Sequence, residues 1–457
     1  MNLPAKLHGS SMSPYHYLLV GMCFLIHLVD GFDLFLMGFA LPYLSDLATS
    51  AEKGFVTSAA MVGMGIGAIF LGAAADRYGR RKIMIVALLV NTAGTLISAV
   101  APDYVSLMLS RLLTGVGIGA IAVLAVIIVQ EFSPAKRKNL NVAIAGTGYS
   151  IGGIIVGLVA APLIQNFGSW RSFFFTGAGI SALALVLAIV VIPESLDFLL
   201  GKRPAGFEQQ ARRTLGKLRI DQSDISYDTS RVPSEVPPAT PGRHWGSLGQ
   251  LLTRDLRERT LLVWVMYGGL ISTIYFVTGW TPQLITTTSG SAALGGLVGT
   301  FLGVGGLLGA ILFGLIGLKV DALKIVWVAI ALSCIGMLAF ASLISIPAGA
   351  FAVAVMVGTT LLTASTAAAG AAPPIYPALV RSGGFGAMMG VGRVGAILTP
   401  ILAGIGLQYV APSTLYFAAA APLALAAVAA LRLRVITSRQ LLPQQDPIRE
   451  VQLTAGN

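Results

Sequence analysis

The stretch Gly72-Ala73-Ala74-Ala75-Asp76-Arg77-Tyr78-Gly79-Arg80-Arg81-Lys82 joins two long apolar runs, and its order is informative. Gly72 permits close helix contact. Asp76 is placed to accept backbone donors at a neighbouring helix N-terminus, where the dipole favours an anion. Gly79 makes a tight turn, and Arg77, Arg80, Arg81 and Lys82 tie that turn to one side of a membrane. The runs on either side continue the same theme. Of 457 residues, 55% are hydrophobic and 11% are charged, with a mean hydropathy of +0.82. Soluble domains carry about 25% charged residues, so these numbers exclude both a soluble globule and a disordered chain. Lipid is the main solvent.

A spanning helix needs ~20 apolar residues. Apolar runs read against breakers predict twelve, over 17–45, 53–75, 83–101, 104–132, 140–166, 171–192, 260–285, 293–318, 323–345, 348–372, 378–408 and 412–433. The fold class is an all-α membrane protein of two six-helix bundles. The expected organisation is a tail at 1–16, a first bundle at 17–192, a polar loop at 193–258, a second bundle at 259–434 and a tail at 435–457. The loop holds Pro233, Pro237, Pro238 and Pro241, and its segment Phe207 to Ile220 is a candidate surface helix. The N-terminal stretch does not read as a cleavable signal peptide. With the N-terminus cytoplasmic, 26 Lys and Arg fall on that side against two, Lys53 and Arg171, on the other. That bias predicts both termini in the cytoplasm. The net charge of +11 does not point to nucleic acid, because the cations lie in short loops and form no continuous basic face. Cys23 and Cys334 sit in apolar runs and suggest neither a disulfide nor a metal site. No cofactor is expected.

The halves share faint self-similarity. Gly67-Ala68-Ile69 and Gly72 match Gly309-Ala310-Ile311 and Gly314 at an offset of 242, and Pro134-Ala135, Gly152 and Phe173-Phe174 match Pro377-Ala378, Gly395 and Tyr416-Phe417 at 243. Parallel six-helix repeats typify one transporter architecture, whose substrate site lies between the halves near the midplane.

Ionisable residues inside spans cost roughly 3 kcal/mol each and read as functional by default. His27, Asp30 and Asp33 share a stripe of the first span. Asp30 lies 13 residues past Tyr17, ~20 Å along the helix. Two carboxylates this close in low dielectric suit proton exchange, with a packing hydrogen bond as the plain alternative for the pair and for His27. Arg111, ~10 Å in from Tyr104, calls for a carboxylate partner, Asp30 or Asp33 by depth. Arg393, twelve residues or ~18 Å past Arg381, lies near the midplane among Gly390, Gly392 and Gly395. Its fork matches a carboxylate substrate, the alternative being a fixed ion pair across the halves. Glu131 ends the fourth span and is placed to brace loop cations. Tyr149 with Ser150, and Tyr267, Tyr275 and Trp280 before Thr281-Pro282, supply rings that stack on a planar ligand or simply pack. Most glycines, such as Gly63, Gly65, Gly115, Gly117 and Gly119, are packing residues. No catalytic constellation appears, so an enzyme is not expected.

The Gly72 to Lys82 loop resembles the signature loop of the major facilitator superfamily, and Arg111 with Gly115 and Gly117 resembles its fourth-helix motif. A narrower likeness is to the aromatic acid:proton symporters. It rests on Asp30-Gly31-Phe32-Asp33, Glu131-Phe132-Ser133-Pro134, Pro193-Glu194-Ser195-Leu196-Asp197-Phe198-Leu199, Trp280-Thr281-Pro282 and the Arg381/Arg393 pair. The resemblance implies inward transport of a benzoate- or hydroxybenzoate-type acid with protons, feeding aromatic catabolism from a bacterial inner membrane. It also implies transport roles for Asp30, Asp33, Arg111, Glu131, Arg381 and Arg393. A monomer in the bilayer is expected. Alternatives are an importer of another organic anion, a proton-driven exporter of amphipathic compounds, and a transporter-like sensor. Two departures stand out. Gly314-Leu315-Ile316-Gly317-Leu318-Lys319-Val320-Asp321 lacks the Asp-Arg-x-Gly order in the second half, and Ala120 to Ala125 holds no polar residue.

Overall fold

The computed structural model describes residues 11–220 and 251–441, apart from 255, 318, 345, 378 and 379. The prolines at 233–241 and the outer parts of both tails lie outside the described residues. Among the described residues, twelve helices of 20 to 33 residues are long and apolar enough to span a membrane. In chain order they are α1 (Pro14–Ala40), α2 (Ser50–Tyr78), α3 (Arg80–Ala99), α4 (Tyr104–Phe132), α5 (Lys138–Phe167) and α6 (Arg171–Val191). Two short helices follow, α7 (Leu196–Lys202) and α8 (Phe207–Leu218). The second six are α9 (Arg257–Ser289), α10 (Ala292–Ile316), α11 (Ala322–Leu343), α12 (Pro347–Ala371), α13 (Arg381–Gly406) and α14 (Pro412–Leu441).

Boundaries shift from the hydropathy reading where local chemistry sets them. Helix α1 starts at Pro14, because proline suits the first helical position and Ser13 and His16 form a capping box. Helix α2 starts at Ser50, not 53, because Thr49 and Glu52 form another. It then passes through a π-turn at Gly67–Leu71 and runs to Tyr78. Helix α13 starts at Arg381, after Pro373 and Pro374 open a short 3-10 turn. Helix α14 runs on to Leu441, past the expected bundle end at 434. Helix α7, capped by Ser195, went unforeseen.

In the first bundle α1 packs on α5, α6 and α4, while α2 and α3 pack on α4. In the second α9 packs on α13 and α14, and α10 and α11 on α12. The bundles meet along α2 with α13, α5 with α10, and α1 with α9. Among the described residues those seams are closest from mid-depth to the end that carries Thr49. There a Cβ at Gly54 would press on Pro400 and Ile401, one at Gly299 on Phe39, and one at Gly303 on Ile154. Ser58 Oγ donates to the Ile397 carbonyl at 2.7 Å. A single apolar core joins Phe35, Phe39 and Val56 of one half to Trp280, Val298 and Leu302 of the other. Toward the end that carries Gly79 the helices part. Gly146, Gly370, Gly386 and Gly390 face open space. Among the described residues, contact between the halves is thus concentrated on the Thr49 side, with an opening beside these glycines on the Gly79 side.

Candidate functional site

The deepest part of that opening holds the intramembrane charges. Arg111 on α4 meets Asp33 on α1 as a two-pronged pair. Its Nη1 donates to Oδ1 at 2.8 Å and its Nη2 to Oδ2 at 2.7 Å. The guanidinium is 1% exposed and lies 5.8 Å from the centre of the Phe174 ring. Of the two partners open to Arg111, the structure selects Asp33. Parallel N–H···O bonds satisfy both carboxylate oxygens and fix the Asp33 side chain in place.

Asp30, one turn earlier, is buried, and its Oδ1 has no hydrogen-bond partner. No ion pair forms at Asp30 among the described residues. The cation whose field reaches it is Arg393. His27 is turned away to its own helix: Nδ1 donates to the Cys23 carbonyl at 2.8 Å, since a carbonyl can only accept.

Arg393 on α13 is half-buried at the bottom of the opening. Its Nη1 reaches Tyr275 Oη at 3.5 Å and Met64 Sδ of the opposite half at 3.8 Å. Tyr149 on α5 and Tyr275 on α9 share the fields of Asp30 and Arg393. Tyr149 meets the Phe35 ring edge-on at 6.0 Å. The Tyr267 ring fills the space that Gly392 leaves, and its hydroxyl points to Met389 Sδ at 3.1 Å. The structure thus gathers Asp30, Tyr149, Tyr267, Tyr275 and Arg393, with the Tyr275 hydroxyl facing Arg393. Arg381 stands apart, exposed at the start of α13, with Nε donating to the Tyr376 carbonyl at 3.4 Å.

At the Gly79 face the signature loop forms a second cluster. Gly79 has φ +107°, which favours glycine, and any Cβ there would collide with the Glu194 carboxylate. Glu194 Oε1 accepts from Arg81 N at 3.2 Å and Ser195 N at 3.0 Å. The anion at the N-terminus of α3 is therefore Glu194. Asp76, expected in such a place, is largely exposed and pairs with Arg80 Nη2 at 3.1 Å. Arg80 Nε lies 3.3 Å from Glu131, which braces the loop. The Arg77 guanidinium lies over the ring of Tyr78 at 5.2 Å, and Gly72 opens the last stretch of α2 with no neighbour against it. The place of Glu194 is not readable from the sequence, because it reaches Arg81 from 113 residues away. No cluster of His, Cys, Asp and Glu suited to a metal occurs among the described residues.

Comparison with known proteins gives the family and the fold. The family model described as Major Facilitator Superfamily matches residues 23–380. The 4-hydroxybenzoate transporter PcaK of Acinetobacter baylyi is 31% identical over 87% of this chain and 86% of its own. The gallate transporter of Pseudomonas putida is 32% identical over 86% of each chain. The benzoate transport protein of A. baylyi is 26% identical over 88% and 86%. In fold, the chain resembles a D-xylose–proton symporter with a TM-score of 0.69 over 92% of this chain and 97% of that one, at 16% identity.

Proposed function

The chain belongs to the major facilitator superfamily, and from that premise we propose that it imports a benzoate- or hydroxybenzoate-type carboxylate by proton symport through alternating access. It is a membrane transporter and not an enzyme. The observation that carries the finer reading is the pairing of roles at mid-depth. Arg393 is a permanent cation among tyrosine rings, and Asp30 is a carboxylate with an unpartnered oxygen in its field.

The mechanism follows from competition. With Asp30 ionised, its charge partly neutralises Arg393, and a substrate carboxylate gains little there. With Asp30 protonated, the Arg393 fork is free to take the substrate carboxylate. The ring then lies among Tyr149, Tyr275 and Tyr267, where offset or edge contacts suit an aromatic acid. Proton and substrate therefore favour each other's binding, which is coupling by linkage. Asp33 takes no part in the exchange while Arg111 holds it. At the Gly79 face, read as cytoplasmic from the lysine and arginine bias, proton loss from Asp30 restores the competing anion and expels the substrate. One anion with one proton is electroneutral. A second proton would add ~2.3 kcal/mol per 100 mV.

In this reading both termini lie on the cytoplasmic side of a bacterial inner membrane, as the lysine and arginine bias supports, and the working unit is a monomer. The test is uptake of a labelled aromatic acid panel into expressing cells, with and without a protonophore, in wild type and Asp30→Asn. One acid should accumulate in a protonophore-sensitive way, and Asp30→Asn should exchange that acid without accumulating it. Protonophore-insensitive accumulation of an aromatic acid would overturn symport. Extrusion of amphipathic compounds instead would favour an exporter.

A further inference from the structure

Lys53 has no place in the mechanism above, yet it is only 4% exposed inside a spanning helix. No carboxylate lies within ion-pair distance of it among the described residues. It starts a stripe on α2. Thr57, Ala60 and Met61 continue the stripe and line a small cavity with Tyr275 and Arg111. Met64 ends it, in contact with Arg393. From Lys53 to Met64 is ~16 Å along the helix.

The neighbouring helix supplies a second observation. Helices α2 and α9 run antiparallel and touch where a Cβ at Gly279 would stand 3.9 Å from Thr57. One turn toward the Thr49 face from that contact stand Lys53 on α2 and Gln283 on α9. Gln283 Oε1 is buried and has no hydrogen-bond donor. Its Nε2 donates to Thr287 Oγ1 at 3.2 Å. A lysine with no carboxylate in ion-pair distance among the described residues and an unsatisfied buried amide at the same depth are costly, and packing alone does not account for them.

We infer that Lys53, with Gln283 at the same depth, is an anion-receiving station on the Thr49 side of the site, which takes a carboxylate when that face opens and passes it along the Thr57 stripe to Arg393. The inference rests on the carboxylate transport proposed above. In the closed state seen here, substrate bound at Arg393 arrives from the Gly79 face and never meets Lys53. Its role is therefore confined to capture from the Thr49 face.

The test compares Lys53→Met and Lys53→Arg by two readouts, using the aromatic acid found in the uptake panel. The first is the KM for uptake into cells or right-side-out vesicles. The second is the Kd of the purified protein by calorimetry. Methionine fills a buried lysine site without stranding a charge, so the fold should survive. Lys53→Met should raise KM about tenfold through lost electrostatic capture, with Vmax and Kd unchanged, and Lys53→Arg should stay within about twofold of wild type. An unchanged KM, a Kd that rises with KM, or Lys53→Arg as impaired as Lys53→Met would overturn the station. Should Lys53→Met not fold, Gln283→Leu decides, with about a threefold rise in KM expected and an unchanged KM overturning the idea. Wild-type protein that moves no aromatic carboxylate would instead sink the functional reading itself, which the same assay shows separately.

Discussion

The two bundles share a scaffold and differ in what they carry. Gly63 and Gly67 on α2 lie against the carbonyls of Leu112 and Val116 on α4, and Gly305 and Gly309 on α10 lie against those of Val355 and Thr359 on α12. Gly115 faces Ala60, as Gly358 faces Leu302. Each glycine pairs with its counterpart at the offset of 242 or 243 that the sequence repeat shows. At none of these places is there room for a Cβ, so close backbone approach fixes the repeat in both halves. The chemistry set on the scaffold then diverges. Where α4 has Arg111, the matching position of α12 is Ala354, buried and neutral. Where α6 has Phe173, α14 has Tyr416, which stacks on Phe340 at 4.9 Å and donates to Thr281 Oγ1 at 2.9 Å. The first bundle is joined inside by an ion pair and the second by stacked rings. Packing thus preserves a repeat while leaving each half free to take a different role, those proposed above being proton exchange in one and anion binding in the other.

The largest expected effect breaks the ion-paired joint. Arg111→Ala makes α4 match Ala354 of α12, but it leaves Asp33 buried without its cation. A stranded buried charge costs about 3–5 kcal/mol, so the yield of folded protein and its thermal midpoint should fall sharply. Arg111→Met with Asp33→Leu removes both charges and should recover most of that stability. A single variant as stable as wild type would show that the pair contributes nothing to the first bundle, and the contrast between the halves would lose its structural meaning.

Next in size is the charge of the second bundle. Arg393→Ala should leave the thermal midpoint close to wild type, because Arg393 is half-buried and forms no ion pair within 4 Å among the described residues. It should weaken aromatic carboxylate binding by about 2–3 kcal/mol, roughly 30- to 150-fold in Kd. Calorimetry on the purified variant measures this directly. Opposite outcomes, a stability loss with Kd unchanged, would make Arg393 a bracing residue and leave the anion site elsewhere.

The division between these two arginines was partly legible beforehand. Depth along a helix follows from 1.5 Å per residue, so the sequence places Asp30, Arg111 and Arg393 near mid-membrane. Depth does not give azimuth. Asp30 and Asp33 differ by one turn, and only the packing of α1 on α4 decides that Asp33 meets Arg111. The spans were legible because each apolar run must satisfy its own backbone in lipid. Their ends were less so, since capping boxes such as Thr49 with Glu52 override hydropathy by a turn. That one turn kept Lys53 reading as a flanking charge. Helix α7 was missed because seven residues carry too little periodicity to register.

The smallest expected effect concerns the loops, where the halves differ again. In the first bundle the anion at the N-terminus of α3 reaches across from Glu194, just after α6. In the second, Asp321 caps its own helix α11, accepting from Lys324 N at 3.0 Å. Glu194→Gln keeps an acceptor but loses the charge that complements the helix dipole. That interaction is worth about 0.3–1 kcal/mol at a screened surface, so uptake should change by less than about fivefold. Asp321→Asn should change less still, because asparagine caps about as well as aspartate. The pair of variants, compared by uptake at low and high salt, separates a latch that joins two helices from a cap that serves one. If Asp321→Asn proved the more damaging, the second loop would hold a contact across helices that its sequence does not announce, and the asymmetry of the two halves would stop at the membrane interior.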